Sequence, residues 1–185
     1  EKYELLRNGV DVSVVDADGR RTTKKALLID FNNVDNNSFL AVRELKVHGP
    51  IYHRRTDIVC FVNGIPVVFI ELKRPTVDVY NAYIDNYRDY VNSIPQLFYY
   101  NAILLLANMK QAKVGTLESK YEFFHEWKRL EEADAGRVEL KIALLGICKK
   151  ENLLDLIENF IVFDESSGKL AKILARNHQY LGVNK

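Results

Sequence analysis

Two carboxylates and an ammonium stand at the two ends of one hairpin-forming segment, Arg54 to Lys73, whose middle is apolar. Strand side chains alternate, so Glu71 and Lys73 project from one face and Leu72 from the other. Asp57 returns to the same end once the chain has turned, and two hard oxygen ligands converging there suit Mg²⁺, with Mn²⁺ as a substitute. The chemistry these residue types serve is phosphodiester hydrolysis: Asp57 and Glu71 hold a divalent ion that activates water. Lys73 orients that water or neutralises developing negative charge.

Which face Asp57 takes depends on the turn. A strict two-residue Asn63-Gly64 loop pairs Val62 with Ile65 and, counting outward, Asp57 with Ile70, which puts the carboxylates on opposite faces. An odd loop, such as a turn with a left-handed bulge at Gly64, puts both on one face. We expect the odd loop or an equivalent bulge. On charge spacing alone, Glu71 and Lys73 are equally a solvated pair worth roughly 0–1 kcal/mol, since ExK is frequent by chance.

Arg54, Arg55, Lys73 and Arg74 cluster at the charged end, as phosphate contacts or as solvated charges. Local charge matters because the global balance is flat: 26 basic against 25 acidic residues, net +1, which gives no overall field for nucleic acid. His48, His53, His125 and His178 show no metal-binding spacing; His53, beside Arg54 and Arg55, reads as part of a solvated loop, with a phosphate contact as the alternative. Cys60 and Cys148 sit in apolar runs and read as buried free thiols. Tyr99, Tyr100 and Trp127 read as core rather than base-stacking residues.

The elements that must position the hairpin follow from periodicity. Val10 to Val14 and Thr22 to Ile29 form a hairpin across the Asp16-Ala17-Asp18-Gly19 turn. An Asn-rich loop from Phe31 to Asn37 precedes a third strand, Phe39 to Val47. Thr56 to Val62 and Pro66 to Lys73 are the most strand-like segments, and Pro75 ends the second. Helical spacing marks Val77 to Tyr90, with Val79, Ala82, Tyr83 and Tyr90 as the apolar stripe. Ala102 to Ala107 reads as a buried strand and Lys113 to Leu117 as its partner. Glu122 to Lys128, Asn152 to Phe160 and Gly168 to Ala175 read as helices.

The 185 residues, 48% of them hydrophobic, suffice for one domain with a sizeable core. The element order favours a mixed-sheet α/β core. No apolar run approaches the ~20 residues of a bilayer span and no signal region opens the chain, so it reads as soluble and cytoplasmic. It opens on Glu1 rather than methionine, which suggests a piece of something longer.

The sequence resembles the N-terminal nuclease domain of the type I restriction enzyme R subunit, a member of the PD-(D/E)xK superfamily, over nearly its whole length. The resemblance is carried by Leu28 to Asn32, Asn36 to Phe39, Arg54 to Val59, Phe61 to Pro66, Ile70 to Lys73, Ile94 to Phe98 and Val114 to Leu117. It implies a restriction-endonuclease-like mixed central sheet flanked by helices, with an extra N-terminal β-hairpin region. By it, residues 1–150 are the endonuclease domain and 151–185 a helical segment leading into an ATP-dependent motor.

By the same resemblance Asp57 and Glu71 are the metal-binding acids and Lys73 the catalytic lysine. Thr56 stands where the family often has proline, which loses only backbone restraint. A QxxxY element of such nucleases aligns with Asn86 and Tyr90, and Asn86 keeps the amide with shorter reach; Tyr90 is equally a core aromatic. Arg54, Arg55, Arg74, Asn86 and Tyr90 are the candidate DNA contacts. Glu1 or Glu4 is a candidate for an acidic residue that many members carry on a preceding helix. Gln179 is similar to an adenine-reading glutamine of superfamily 2 helicases. No GxxxxGK[ST] phosphate loop occurs, so ATP enters only through motor domains. The implied activity is Mg²⁺-dependent hydrolysis of double-stranded DNA coupled to ATP-driven translocation, with methyltransferase and specificity subunits as partners. The alternatives are a stand-alone repair nuclease, or a non-catalytic DNA-binding or docking module of the same fold.

Overall fold

The computed structural model describes every residue except Glu1, Ser167 and Lys169. Helix α1 (Lys2–Asn8) leads into an antiparallel hairpin of β1 (Val10–Val15) and β2 (Arg21–Ala26). Its turn forms because Asp16 Oδ1 accepts the N–H groups of Asp18 and Arg20 at 3.0 and 2.8 Å, as short acidic side chains do in turns.

The segment expected to be one strand from Phe39 to Val47 is two. Strand β3 (Phe39–Arg43) ends at Glu44, whose φ of 52° breaks extended backbone, and β4 (Lys46–His48) pairs instead with β5 (His53–Arg55). The chain then enters β6 (Ile58–Val62) and β7 (Ile65–Leu72). Next come α2 (Val79–Asn81), a π-helical turn over Ala82–Tyr87, and α3 (Arg88–Ser93), which together form the expected helix. Strands β8 (Ile103–Ala107) and β9 (Ala112–Gly115) complete a five-stranded sheet in the order β3-β6-β7-β8-β9. Only β7 and β8 run parallel within it, so the sheet is mixed.

Further along, Glu122 to Lys128 is not a helix: a 3₁₀ turn at Tyr121–Phe123 gives way to extended chain in which His125 bridges to Val114. Helix α4 (Leu140–Cys148), not anticipated from its apolar run, packs Gly146 beneath Trp127. A Cβ on Gly146 would stand 2.1 Å from Trp127 Nε1, so only glycine permits that approach. After α5 (Lys150–Asn159), the Gly168 to Ala175 stretch expected to be helical instead contributes β11 (Ala171–Leu174), paired with β10 (Ile161–Asp164). There Leu174 turns into the core while the Lys172 ammonium sits over the Tyr3 ring, 4.6 Å from its centroid. Helix α6 (Asn177–Val183) closes the described chain.

The sheet separates two apolar layers. One holds Val68, Ile70, Ile103 and Leu105 with Leu6 of α1, Ile147 of α4, Leu156 of α5 and Tyr180 of α6. The other holds Val59, Phe69, Leu104 and Leu106 against Val79, Ala82, Tyr87 and Tyr90 of the π-interrupted helix. Cys60 and Cys148 are free and half-buried, and the neighbouring Cys60 thiol together with burial holds the Cys148 thiol well above its usual range. Among the described residues no helix is long and apolar enough to cross a membrane.

Candidate functional site

The turn between β6 and β7 is the regular two-residue one, so the expected odd loop is absent. Asn63 and Gly64 take φ of 50° and 80°, and Val62 faces Ile65, as in a hairpin turn with both central residues left-handed. The extra residue lies one step further along. Phe61 faces Pro66, but Cys60 faces Val68, so Val67 is bulged out of the ladder. Proline brings no N–H to the ladder, so the interruption falls beside it. Beyond the bulge Val59 faces Phe69 and Ile58 faces Ile70. Continued by one residue, that register sets Asp57 level with Glu71 on the face that bears the π-interrupted helix.

The Leu72 N–H donates to Asp57 Oδ2 at 2.7 Å, which latches the first acid to the second strand. Glu71 is 2% exposed, and its Oε2 is buried with no hydrogen-bond partner. Burial pushes the Glu71 carboxyl up to about 8; the Asp57 charge adds to the rise and Lys73 opposes it. Lys73 Nζ lies 3.6 Å from Glu71 Oε1, with the two side chains 19% and 3% exposed, so this is not the solvated pair that charge spacing allowed.

Lys73 also donates to the Asn86 side-chain carbonyl. Asn86 Nδ2 donates to the Tyr90 hydroxyl at 3.3 Å, and that hydroxyl donates to the Arg55 carbonyl at 3.0 Å. Asn86 lies within the π-helical turn, a distortion that shifts side chains out of ordinary helical phase. Tyr90 is buried with its ring edge-on to Phe69, so it is both a core aromatic and the end of this chain of hydrogen bonds.

The two neighbouring arginines part company. Arg54 is turned inward and grips Asp89, Nε to Oδ2 at 2.5 Å and Nη2 to Oδ1 at 3.0 Å, a pairing 35 residues apart that no local spacing announces. That contact holds the Asp89 carboxyl below the usual range. Arg55 is exposed, 3.5 Å from Glu44, and Arg74 is exposed. Glu4 is exposed on α1, whose Tyr3 and Leu6 pack into the opposite layer, so the structure does not bring it to the carboxylates; Glu1 lies outside the described residues. Gln179 accepts the Arg176 N–H at 2.8 Å and caps α6. Two grooves of about 590 and 600 Å³ meet at His125 and Arg176, and neither is lined by Asp57, Glu71 or Lys73.

The donor set fits a hard divalent cation. Glu71 Oε2 is a buried oxygen without a proton donor, and Asp57 spends only Oδ2 on the backbone. No cluster of three or more acidic, histidine or cysteine side chains suited to a metal occurs among the described residues. Two carboxylates completed by water and phosphate oxygens are the usual surroundings of Mg²⁺.

A family model described as the type I restriction enzyme R protein N terminus matches residues 1–123. The chain is 36% identical, over 98% of its length, to a protein from Haemophilus influenzae named as the type I restriction enzyme HindI endonuclease subunit. It is 31% identical, over 99% of its length, to one from Methanocaldococcus jannaschii named as the putative type I restriction enzyme MjaIXP endonuclease subunit. The alignments take in 18% and 19% of those two relatives, so the chain spans less than a fifth of either. A further relative, named as the Escherichia coli type I restriction enzyme EcoprrI endonuclease subunit, is 26% identical over 90% of the chain and 54% of its own length.

Proposed function

This chain belongs to the family of type I restriction enzyme R protein N-terminal regions, and from that premise we propose that it is the endonuclease module of such a subunit, hydrolysing phosphodiesters of double-stranded DNA. The observation that carries the reading is the bulge at Val67, which sets Asp57 beside Glu71 and leaves a buried carboxylate oxygen unpartnered next to Lys73.

Asp57 and Glu71 would hold Mg²⁺, or Mn²⁺ in its place. The ion, when bound, supplies Lewis acidity toward the phosphodiester and acidifies water. Glu71 enters as the carboxylate only after losing its proton, because burial favours its neutral form. Lys73 lies against Glu71 while Asn86 fixes the direction of its Nζ, so the ammonium is preorganised to orient the attacking water and to offset charge gathering on the phosphate. Tyr90 positions Asn86 and ties it to the backbone just before Asp57. Arg55, paired with the exposed Glu44, and the exposed Arg74 can meet DNA phosphates, whereas Arg54 acts through Asp89 to hold the structure around them.

We place the chain in the cytoplasm as part of a complex with methyltransferase and specificity subunits. Cleavage there is coupled to ATP-driven translocation by motor domains, with Gln179 at the approach to the adenine site. Plasmid cleavage by the full complex with Lys73→Ala and Glu71→Gln tests the reading. Lost cutting with retained ATP hydrolysis supports it; undiminished cutting by either variant overturns it.

A further inference from the structure

We propose that the short ribbon of β4 and β5 is a DNA-docking element whose outer face binds the phosphates of a duplex beside the carboxylate site, a proposal that rests on the nuclease reading above. In its register Lys46 faces Arg55 and His48 faces His53. Alternation puts these four side chains on one face, and all four are exposed. Val47 and Arg54 occupy the other face and are half-buried: Val47 packs into the second apolar layer and Arg54 grips Asp89 of α3.

The ribbon is held rigidly from its packed side. At its turn Gly49 lies so close to α3 that a Cβ would stand 1.9 Å from the Ser93 carbonyl oxygen. Gln96 donates to the His48 carbonyl at 2.9 Å, and Tyr90 to the Arg55 carbonyl at 3.0 Å. The backbone that carries Lys46 and Arg55 is therefore held in place, and only Thr56 separates Arg55 from Asp57. A site that cuts DNA needs the strand held in place beside it, and a pair of exposed cations, Lys46 and Arg55, on a held ribbon suits contacts to a phosphate backbone.

Glu44 pairs with this surface, 3.5 Å from Arg55, with both side chains 63% exposed. So exposed a pair is weak enough for phosphate to replace the carboxylate. Of the other acids close by, Asp89 is occupied by Arg54 and Ser93, and Asp57 accepts the Leu72 N–H. Charge complementarity thus favours a polyanion over a protein surface as the occupant.

The test is binding of a fluorescently labelled duplex to the full chain in EDTA, where cleavage is suppressed, followed by anisotropy over a series of salt concentrations. Lys46→Gln with Arg55→Gln should weaken binding about tenfold or more and flatten the slope of log affinity against log salt by about 1.8, one phosphate contact being lost at each position. Lys46→Arg with Arg55→Lys should keep both. Should the double variant melt early, Lys46→Gln alone must still flatten the slope by about 0.9. Unchanged affinity and slope overturn the proposal, as does a variant that keeps its DNA slope but loses association with another subunit. Glu71→Gln separates the two readings: it should abolish cutting and leave ribbon binding intact, while full cutting by that variant would sink the nuclease reading without touching the ribbon.

Discussion

Leu72 donates its backbone N–H to Asp57 Oδ2 at 2.7 Å, so the first acid is fixed by the strand that carries the second. Asp57→Asn keeps an acceptor for that bond and removes the charge; Asp57→Ala removes both. We expect Asp57→Asn to melt close to the parent temperature yet lose Mn²⁺ binding by titration calorimetry. Asp57→Ala should also be less stable by roughly 1.5–3 kcal/mol, the range for a hydrogen bond to a charged group. Parental Mn²⁺ affinity in Asp57→Asn would remove Asp57 from the proposed metal site.

Glu71 should make the metal-free protein lose stability as pH rises. Burial first, and the Asp57 charge second, hold its carboxyl up to about 8, whereas an unfolded glutamate titrates near ~4.3. Between those values the folded chain binds more protons than the unfolded one, so stability falls with rising pH by up to about 1.4 kcal/mol per pH unit. Below the lower value both states are protonated and the contribution vanishes. Chemical denaturation across this range should show the fall in the parent and not in Glu71→Gln. Divalent cation binding at neutral pH should expel a proton, read as a dependence of binding heat on the buffer's ionisation enthalpy; a heat independent of buffer would count against Glu71 as the ligand.

Asn86 should act on Lys73 without touching DNA. It accepts from Lys73 and donates to Tyr90, so Asn86→Ala frees the ammonium and Tyr90→Phe releases the amide from the Arg55 carbonyl. Supporting groups of this kind typically contribute about 10–100-fold in activity. We expect a loss of that size in the cleavage rate at saturating DNA, with duplex affinity unchanged and partial recovery in Asn86→Gln. A loss confined to DNA affinity would instead make Asn86 a direct contact.

The sheet was largely legible because its strands are apolar runs bounded by turn residues, as at Ile103–Ala107 and the Asn63-Gly64 hairpin. The failures have local causes. Glu44 adopts a left-handed conformation that no residue preference foretells, and it splits one expected strand into two. The expected helix from Gly168 to Ala175 lies in a sequence with helix-forming residues, but tertiary contacts of Leu174 and Lys172 hold Ala171–Leu174 as a strand. At the site, the shared face of Glu71 and Lys73 followed from alternation alone. The position of Asp57 required a bulge whose sequence signal was Pro66, not Gly64. The inward turn of Arg54 depends on Asp89 across the fold and had no local signal.

The turn that sets the register should itself depend more on Asn63 than on Gly64. Gly64 has φ of 80° and open space around a built Cβ, so Gly64→Ala meets only the backbone penalty of roughly 1–2 kcal/mol for a left-handed residue. Asn63 is a knot: its Oδ1 accepts the Ser38 N–H at 2.7 Å, and its Nδ2 donates to the Leu28 carbonyl and to Asn37 Oδ1, both at 2.9 Å. Asn63→Gly relaxes the left-handed backbone but cuts all three bonds, each contributing roughly 0.5–1.5 kcal/mol net. Thermal or urea unfolding should therefore rank Asn63→Gly as the more damaging substitution, with Mn²⁺ affinity preserved in both at temperatures where they remain folded. The opposite ranking would mean that backbone strain at the turn, rather than the polar knot behind it, sets the register on which Asp57 and Glu71 rely.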